Sequence, residues 1–306
     1  MNKCLEALSR QTVSPQKVIV VDNSDDFFIK EKNCYSFKIE TISPGRNIGF
    51  AAANNMGVKS DNDSDWIALL NPDAFPEPMW LENLLKAEQK YPEYDFFGSK
   101  LIRHFEPSVL DGIEDIYHTS GLVWRHKHGC RYEETDAAPR EIFSACAAAA
   151  LYRKSAFMDA GGFDERYFCY LEDVDLGFRL RLLGYRCLYV PKAVAYHIGS
   201  ASTGNHSDFM VYHGHRNLVW TYLKNMPRTL LFFYLPQHIF LNVFSLIWFS
   251  LKGRNKIIFK AKKDAVKYFF DILNDRKAIQ NKRRVSVTEI RKFMAKGAYA
   301  VLKRPE

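Results

Sequence analysis

The stretch Trp66-Ile67-Ala68-Leu69-Leu70-Asn71-Pro72-Asp73 decides the fold. Five apolar residues without polar alternation suit a strand covered on both faces, and Asn-Pro-Asp stops it. The form recurs upstream, where Lys17-Val18-Ile19-Val20-Val21 reads as a buried strand ending in Asp22-Asn23-Ser24, and Phe37 to Ile42 as another. Between them and the quoted stretch, Pro44-Gly45-Arg46-Asn47-Ile48-Gly49 opens a small-residue helix over Phe50 to Val58. Further helices are predicted over 2–11, with Cys4, Leu5 and Leu8 inward, and from Met79 to about Gln89. Strand–helix alternation of this kind predicts a doubly wound α/β sheet with its ligand site at the carboxyl ends of the strands. Asp22 and Asp73 both fall at such ends.

A second stretch, Gly161 to Gly184 (GGFDERYFCYLEDVDLGFRLRLLG), gathers Asp164, Glu172, Asp173 and Asp175 around the aromatic run Tyr167 to Tyr170. Leu176, Leu180 and Leu183 then form a helical stripe, and Gly184 ends it. Carboxylates at a helix N-terminus can simply cap it. An apolar wall beside a carboxylate instead raises its pKa and makes it a usable base. Both readings stay open on these residues alone. Phe143 to Tyr152 is a strand of mostly small residues, followed by strands at Arg186–Val190 and one ending at His197. Residues 104–142 read as polar and irregular, and His126, His128 and Cys130 there as part of a solvated basic loop in preference to a metal site.

The six cysteines are scattered without a CxxC pair, which implies reduced thiols and excludes a disulfide framework. The start shows no apolar signal segment. The net charge of +8 is uneven: Lys252 to Glu306 holds 17 Lys+Arg against 5 Asp+Glu, so the basic excess sits in the tail. Just before it, Thr229 to Leu251 runs 23 residues without a charged side chain, though Pro236, Gln237, His238 and Asn242 interrupt its apolar character. The following helix sets Ile258, Ala261, Ala265, Phe269 and Ile272 on one stripe and Lys256, Lys260, Lys263 and Lys267 on other faces. An apolar segment followed by a basic amphipathic helix predicts docking on an anionic membrane surface. Nucleic acid is not expected, because the basic run carries no reading motif.

Taken in order, VIVVDNSDD (18–26), GRNIGFAAANNMG (45–57), LLNPDAF (69–75), GGFDERYFCYLEDVDLGFRLRLLGY (161–185), VAYHIGSAS (194–202) and HRNLVWTYLKNMP (215–227) resemble the family 2 inverting glycosyltransferases of the GT-A fold, in their rhamnosyltransferase-like branch. The resemblance implies a GT-A-like doubly wound mixed sheet over 1–227 and a membrane-associated helical region over 228–306. It implies that Asp22 contacts the nucleotide base or ribose and that Arg46 and Asn47 lie along the nucleotide pocket. Asn71-Pro72-Asp73 stands where the family's DxD motif stands, so Asp73 carries the contact to a divalent cation, Mn or Mg, with His197 as second ligand. Asp173 is implied as the general base, Glu172 and Asp175 as orienting or acceptor-binding groups, and Arg216 as a diphosphate contact. The implied substrates are a nucleotide-diphosphate sugar, dTDP-rhamnose or a UDP-sugar, and a lipid-linked glycan acceptor. The implied location is the cytoplasmic face of the bacterial inner membrane, as a peripheral protein or with one span.

The sequence departs from the family at its start, where Met1 falls inside the helix that should follow a first buried strand. The sheet is therefore expected to lack that strand. The alternative function is a catalytically impaired, membrane-docked relative acting as a non-enzymatic partner. A sugar-phosphate nucleotidyltransferase is disfavoured, since no Gly-rich phosphate loop with a basic residue precedes the Val18–Asn23 strand.

Overall fold

The computed structural model describes residues 1–24, 35–199 and 207–302. The chain runs α1 (Asn2–Ser9), β1 (Lys17–Val21), β2 (Lys38–Ile42), α2 (Phe50–Ser60), β3 (Trp66–Leu70), β4 (Ala74–Pro76), α3 (Trp80–Lys90) and β5 (Phe96–Arg103). Four short strands follow, β6 (Leu110–Gly112), β7 (Asp115–Tyr117), β8 (Val123–Arg125) and β9 (Arg140–Ile142). Then come β10 (Ala149–Arg153), α4 (Lys154–Asp159), α5 (Glu172–Leu182) and β11 (Cys187–His197). The rest is helical: α6 (Asp208–Asn225), α7 (Arg228–Leu251), α8 (Asn255–Lys267), α9 (Phe269–Asn281), α10 (Val287–Lys292) and α11 (Gly297–Leu302).

The central sheet is mixed, in the order β3-β10-β5-β11-β4, with β6 added on β5 and β9 on β11. Its middle strands alternate between two cores, as period-2 geometry requires of a sheet covered on both sides. Phe97, Leu151 and Leu188 face the layer of α1 and α3. Phe96, Tyr152 and Tyr189 face the layer of α2, α4 and α5. Among the described residues β1 pairs only with β2 and β3 only with β10, so a two-stranded and a seven-stranded sheet stand apart.

Three expectations are corrected. Residues 143–148 hold only an isolated bridge from Ser144 to Asp115, and the strand begins at Ala149. The two predicted strands over 186–197 are one, β11, with a register shift between Val190 and Val194. The 104–142 region is not irregular: it holds β6 to β9, and β7 and β8 form a hairpin. His126 there meets Glu114 at 2.9 Å and His128 the Asp111 carbonyl at 2.8 Å. The five described cysteines are free, and Cys34 lies outside the described residues.

The helical region shares a core with the sheet domain. Tyr117, Phe143 and Phe178 pack with Tyr222, Leu230, Tyr234, Ile290 and Met294. α7 is continuous through Pro236. His238 is buried, stacked on Tyr222 at 3.8 Å with Nδ1 donating to the Ser120 carbonyl. Gln237 accepts from Thr119, and Asn242 accepts from Lys262. Outward stand Phe232, Phe233, Ile239, Phe240, Phe244, Ile247 and Leu251, Phe240 72% and Leu251 81% exposed.

Candidate functional site

The site is built from three groups at the carboxyl ends of the strands. The first lies beyond β1 and β2. The Asp22 N–H donates to the Ile42 carbonyl at 2.7 Å, and its Oδ1 accepts from the Ser24 backbone and hydroxyl. Asn23 Nδ2 donates to Asn47 Oδ1 at 3.0 Å, and Asn23 Oδ1 accepts from the Ile48 N–H. Asp22 and Asn47 thus share one polar rim, with Arg46 exposed beside it.

The second group follows from the antiparallel pairing of β4 with β11, which sets His197 opposite Ala74. His197 Nε2 lies 3.4 Å from Asp73 Oδ1, and its Nδ1 lies 2.9 Å from Asp111 Oδ2. Burial disfavours the imidazolium, but the two carboxylates outweigh it and raise the pKa to about 9. A carboxylate behind the far nitrogen is also how proteins orient an imidazole that ligates a metal. One imidazole nitrogen and one carboxylate oxygen on one side suit a divalent cation that draws further oxygens from a diphosphate. The donor set fits.

The third group centres on Asp173, in the first turn of α5. Its Oδ1 accepts from the Val174 N–H at 2.8 Å and its Oδ2 from the Ala147 N–H at 3.3 Å. α5 reaches this position because residue 177 is glycine: a Cβ there would overlap the Ser144 hydroxyl, which donates to the Asp173 carbonyl. Single ligand atoms of Asp115, Cys146 and Asp173 all lie within 4.8 Å of one another. Burial first and the Asp115 charge second raise the Asp173 pKa to about 6, against Arg125 and the two N–H donors. Burial pushes the Cys146 thiol well up, so it stays protonated and poorly suited to a hard cation.

The aromatic run forms a tight turn before α5. The Tyr167 hydroxyl meets Asp175 and Thr221, while Phe168 stacks on His213 at 5.4 Å. Phe168, Tyr170 and Leu171 all have φ between 64° and 69°, a left-handed conformation that costs side-chain-bearing residues about 1–2 kcal/mol each. Asn217 Nδ2 holds this turn by donating to the carbonyls of Tyr167, Cys169 and Tyr170. Arg216 donates to the carbonyls of Arg166 and Tyr167 and packs over Trp220. The guanidinium is buried and turned into the loop.

Asp175 is also corrected as an acceptor contact. It has no exposed surface and binds Arg179, Lys224, Tyr167 and Asn225, which hold its carboxyl below the usual range against burial. Glu172 is buried with Oε2 unpartnered, and burial first and Asp173 second push its carboxyl well up. It faces the protein interior and not an open acceptor cleft.

Asp111, Asp115, Arg125 and Asn217 were not singled out from the sequence. Asp111 and Asp115 were detectable in principle, since Leu110 and Ile113 place apolar residues beside each acid in a stretch otherwise polar.

Comparison with known proteins matches residues 1–161 to the Glycosyl transferase family 2 model. An N-acetylglucosaminyl-diphospho-decaprenol L-rhamnosyltransferase of Mycobacterium tuberculosis is 29% identical over 226 residues, 67% of this chain and 73% of that one. Rhamnosyltransferase WbbL of Escherichia coli is 32% identical over 195 residues, 59% of this chain and 72% of that one. Among solved structures, S. aureus TarS 1-349 superposes with a TM-score of 0.52 at 17% identity, over 91% of this chain and 86% of that one. GalNAc-T7 with UDP, GalNAc and Mn2+ superposes with 0.51 at 12% identity, over 70% and 44%. These likenesses establish the GT-A fold.

Proposed function

Since the chain belongs to glycosyl transferase family 2 and is a glycosyltransferase, we propose that it moves a rhamnose-type sugar from a nucleotide donor to a lipid-linked acceptor by a single inverting displacement. The observation that carries the chemistry is Asp173: a buried carboxylate, 9% exposed, fixed by two backbone N–H groups and raised to about 6. Such a group is ionised at neutral pH and still basic enough to accept a proton.

In this reading Asp22 and Asn47 receive the nucleoside, with Arg46 at the rim. Asp73 and His197 would hold a divalent cation, Mn or Mg, with Asp111 fixing the imidazole. When bound, that cation supplies positive charge for the departing diphosphate, a contribution normally worth several kcal/mol. Asp173 takes the proton of the acceptor hydroxyl as its oxygen bonds to the anomeric carbon. The bond to the nucleoside diphosphate breaks with its electron pair on the leaving oxygen, so configuration inverts.

The lipid-linked acceptor and the membrane seat rest on α7, which buries His238 and exposes Phe232, Phe233, Phe240, Phe244 and Leu251. That arrangement inverts the pattern of a water-facing helix and suits the acyl boundary. Lys256, Lys260, Lys263 and Lys267 beside it match anionic headgroups. The sheet domain over 1–227 would do the chemistry, and 228–306 would seat it.

The test is transfer from dTDP-rhamnose and UDP-sugars to a polyprenyl-diphosphate-linked sugar, with product configuration read by NMR. An inverted product that requires added Mn or Mg is expected. A product of retained configuration would overturn the reading.

A further inference from the structure

We propose that Arg125 is a positioning residue that ties the base half of the site to the leaving-group half. The proposal rests on the reading of Asp173 as base. The β7–β8 hairpin brings Arg125 between two buried carboxylates, Asp115 on β7 and Asp111 on β6. Its Nε lies 3.1 Å from Asp115 Oδ1 and its Nη1 3.4 Å from Asp111 Oδ2. That same Asp111 oxygen lies 2.9 Å from His197 Nδ1. On the other side, Asp115 stands within 4.8 Å of Asp173. One guanidinium therefore closes a path from Asp73 through His197, Asp111 and Asp115 to Asp173.

The backbone is shaped around this side chain. Gly112 sits at φ 152°, and a Cβ there would overlap Cγ and Cδ of Arg125. The hairpin tip is fixed as well: Thr119 donates to the Ala295 carbonyl at 3.0 Å, and Ala295 donates to that of Tyr117 at 2.9 Å. A planar fork fixes the directions of its bonds to both carboxylates, whereas a lysine ammonium on a flexible stem supplies the charge without fixing those directions. Without the guanidinium, Asp111 would lose its restraint toward His197, and Asp115 would repel Asp173 unopposed.

The charged and titratable groups around Asp173 give the experiment its signs. They are Asp115 on β7, Arg125 on β8, Cys146 in the segment before β10, Tyr152 on β10, Cys169 in the aromatic turn and Glu172 on its own helix. Arg125 opposes the Asp115 effect on Asp173.

The experiment measures kcat and donor and acceptor KM against pH for Arg125→Met, Arg125→Lys, Gly112→Ala and Asp115→Asn, with thermal melts of each. Arg125→Met is expected to lower kcat about 10- to 100-fold, in the range of lost supporting contacts, and to move the acidic inflection of kcat to higher pH. Asp115→Asn is expected to move it to lower pH. Arg125→Lys is expected to restore the inflection while leaving kcat reduced. Gly112→Ala keeps every charge and is expected to lower kcat by displacing the side chain. The proposal is overturned by a folded Arg125→Met with wild-type kcat and inflection, or by inflections that move the same way in Arg125→Met and Asp115→Asn. Should Arg125→Met fail to fold, an unchanged kcat in Gly112→Ala overturns it. Full activity in Asp173→Asn would instead refute the underlying base assignment.

Discussion

At Asp173 the catalytic requirement and folding stability pull in opposite directions. A carboxyl raised from 3.8 to about 6 binds its proton more tightly in the folded state. Its contribution to stability is therefore present below the unfolded pKa and lost as pH rises through the folded value. Asp173→Asn should lose transfer by about 100- to 10,000-fold, the usual worth of a general base, yet melt a few degrees higher at neutral pH. A lower melting temperature would contradict the burial argument. Asp175 carries the opposite sign. Its lowered carboxyl stabilises the fold above the unfolded pKa, and that contribution is lost as acid protonates it. Asp175→Asn leaves Arg179 and Lys224 short of their partner and should cost about 3–5 kcal/mol in chemical denaturation, and a loss below 1 kcal/mol would refute it. The two acids are two positions apart, and only their partners separate the roles. Lys224 and Asn225 come from α6, Asp115 from β7 and Arg125 from β8, which is why Gly161–Gly184 alone left capping and catalysis open. Asp73 and His197 were legible as a pair because both close strands on one edge, whereas Asp111 arrives from a region that read as loop.

At the level of elements, the strained turn before α5 depends on α6. Three left-handed residues would cost several kcal/mol in sum, and Asn217 offsets this with its two amide hydrogens shared among three carbonyls. Asn217→Ala should destabilise the fold by about 2 kcal/mol, at about 1 kcal/mol per hydrogen donated. It should also raise both donor and acceptor KM, since the turn lies beside Asp173 and its Phe168 packs on Gly49, next to the Asn47 rim. Unchanged constants would argue against that placement. Apolar runs gave β1 and β3 their observed bounds, and Gly184 ended α5 as expected. The central strand β5 escaped notice because Gly98, Ser99 and Lys100 interrupt its apolar pattern. Gly98 is there for packing: a Cβ would press on Ile142 and Ala145. Local pattern cannot register a gap whose reason is a contact more than 40 positions away.

For the whole molecule, the helical region is both a wall of the core and an outward apolar surface. Charge and hydropathy made the surface legible, but not the buried use of His238 or the bonds of Gln237 to Thr119 and of Asn242 to Lys262, which read from sequence as interruptions. Replacing Phe240 and Phe244 with Glu should abolish co-sedimentation with anionic vesicles and lower turnover of a lipid-linked acceptor. A water-soluble acceptor analogue should still be used at the wild-type rate. Undiminished vesicle binding would refute the docking face. An enzyme seated this way is proposed to transfer sugar through an ionised Asp173. The most direct test is the pH dependence of kcat in wild type and in Asp173→Asn. The wild-type rate should be level above pH about 6 and fall tenfold per pH unit below it, the response of one ionised base, while the variant stays slow without that inflection. A variant that keeps the wild-type rate, or the same inflection, would contradict it.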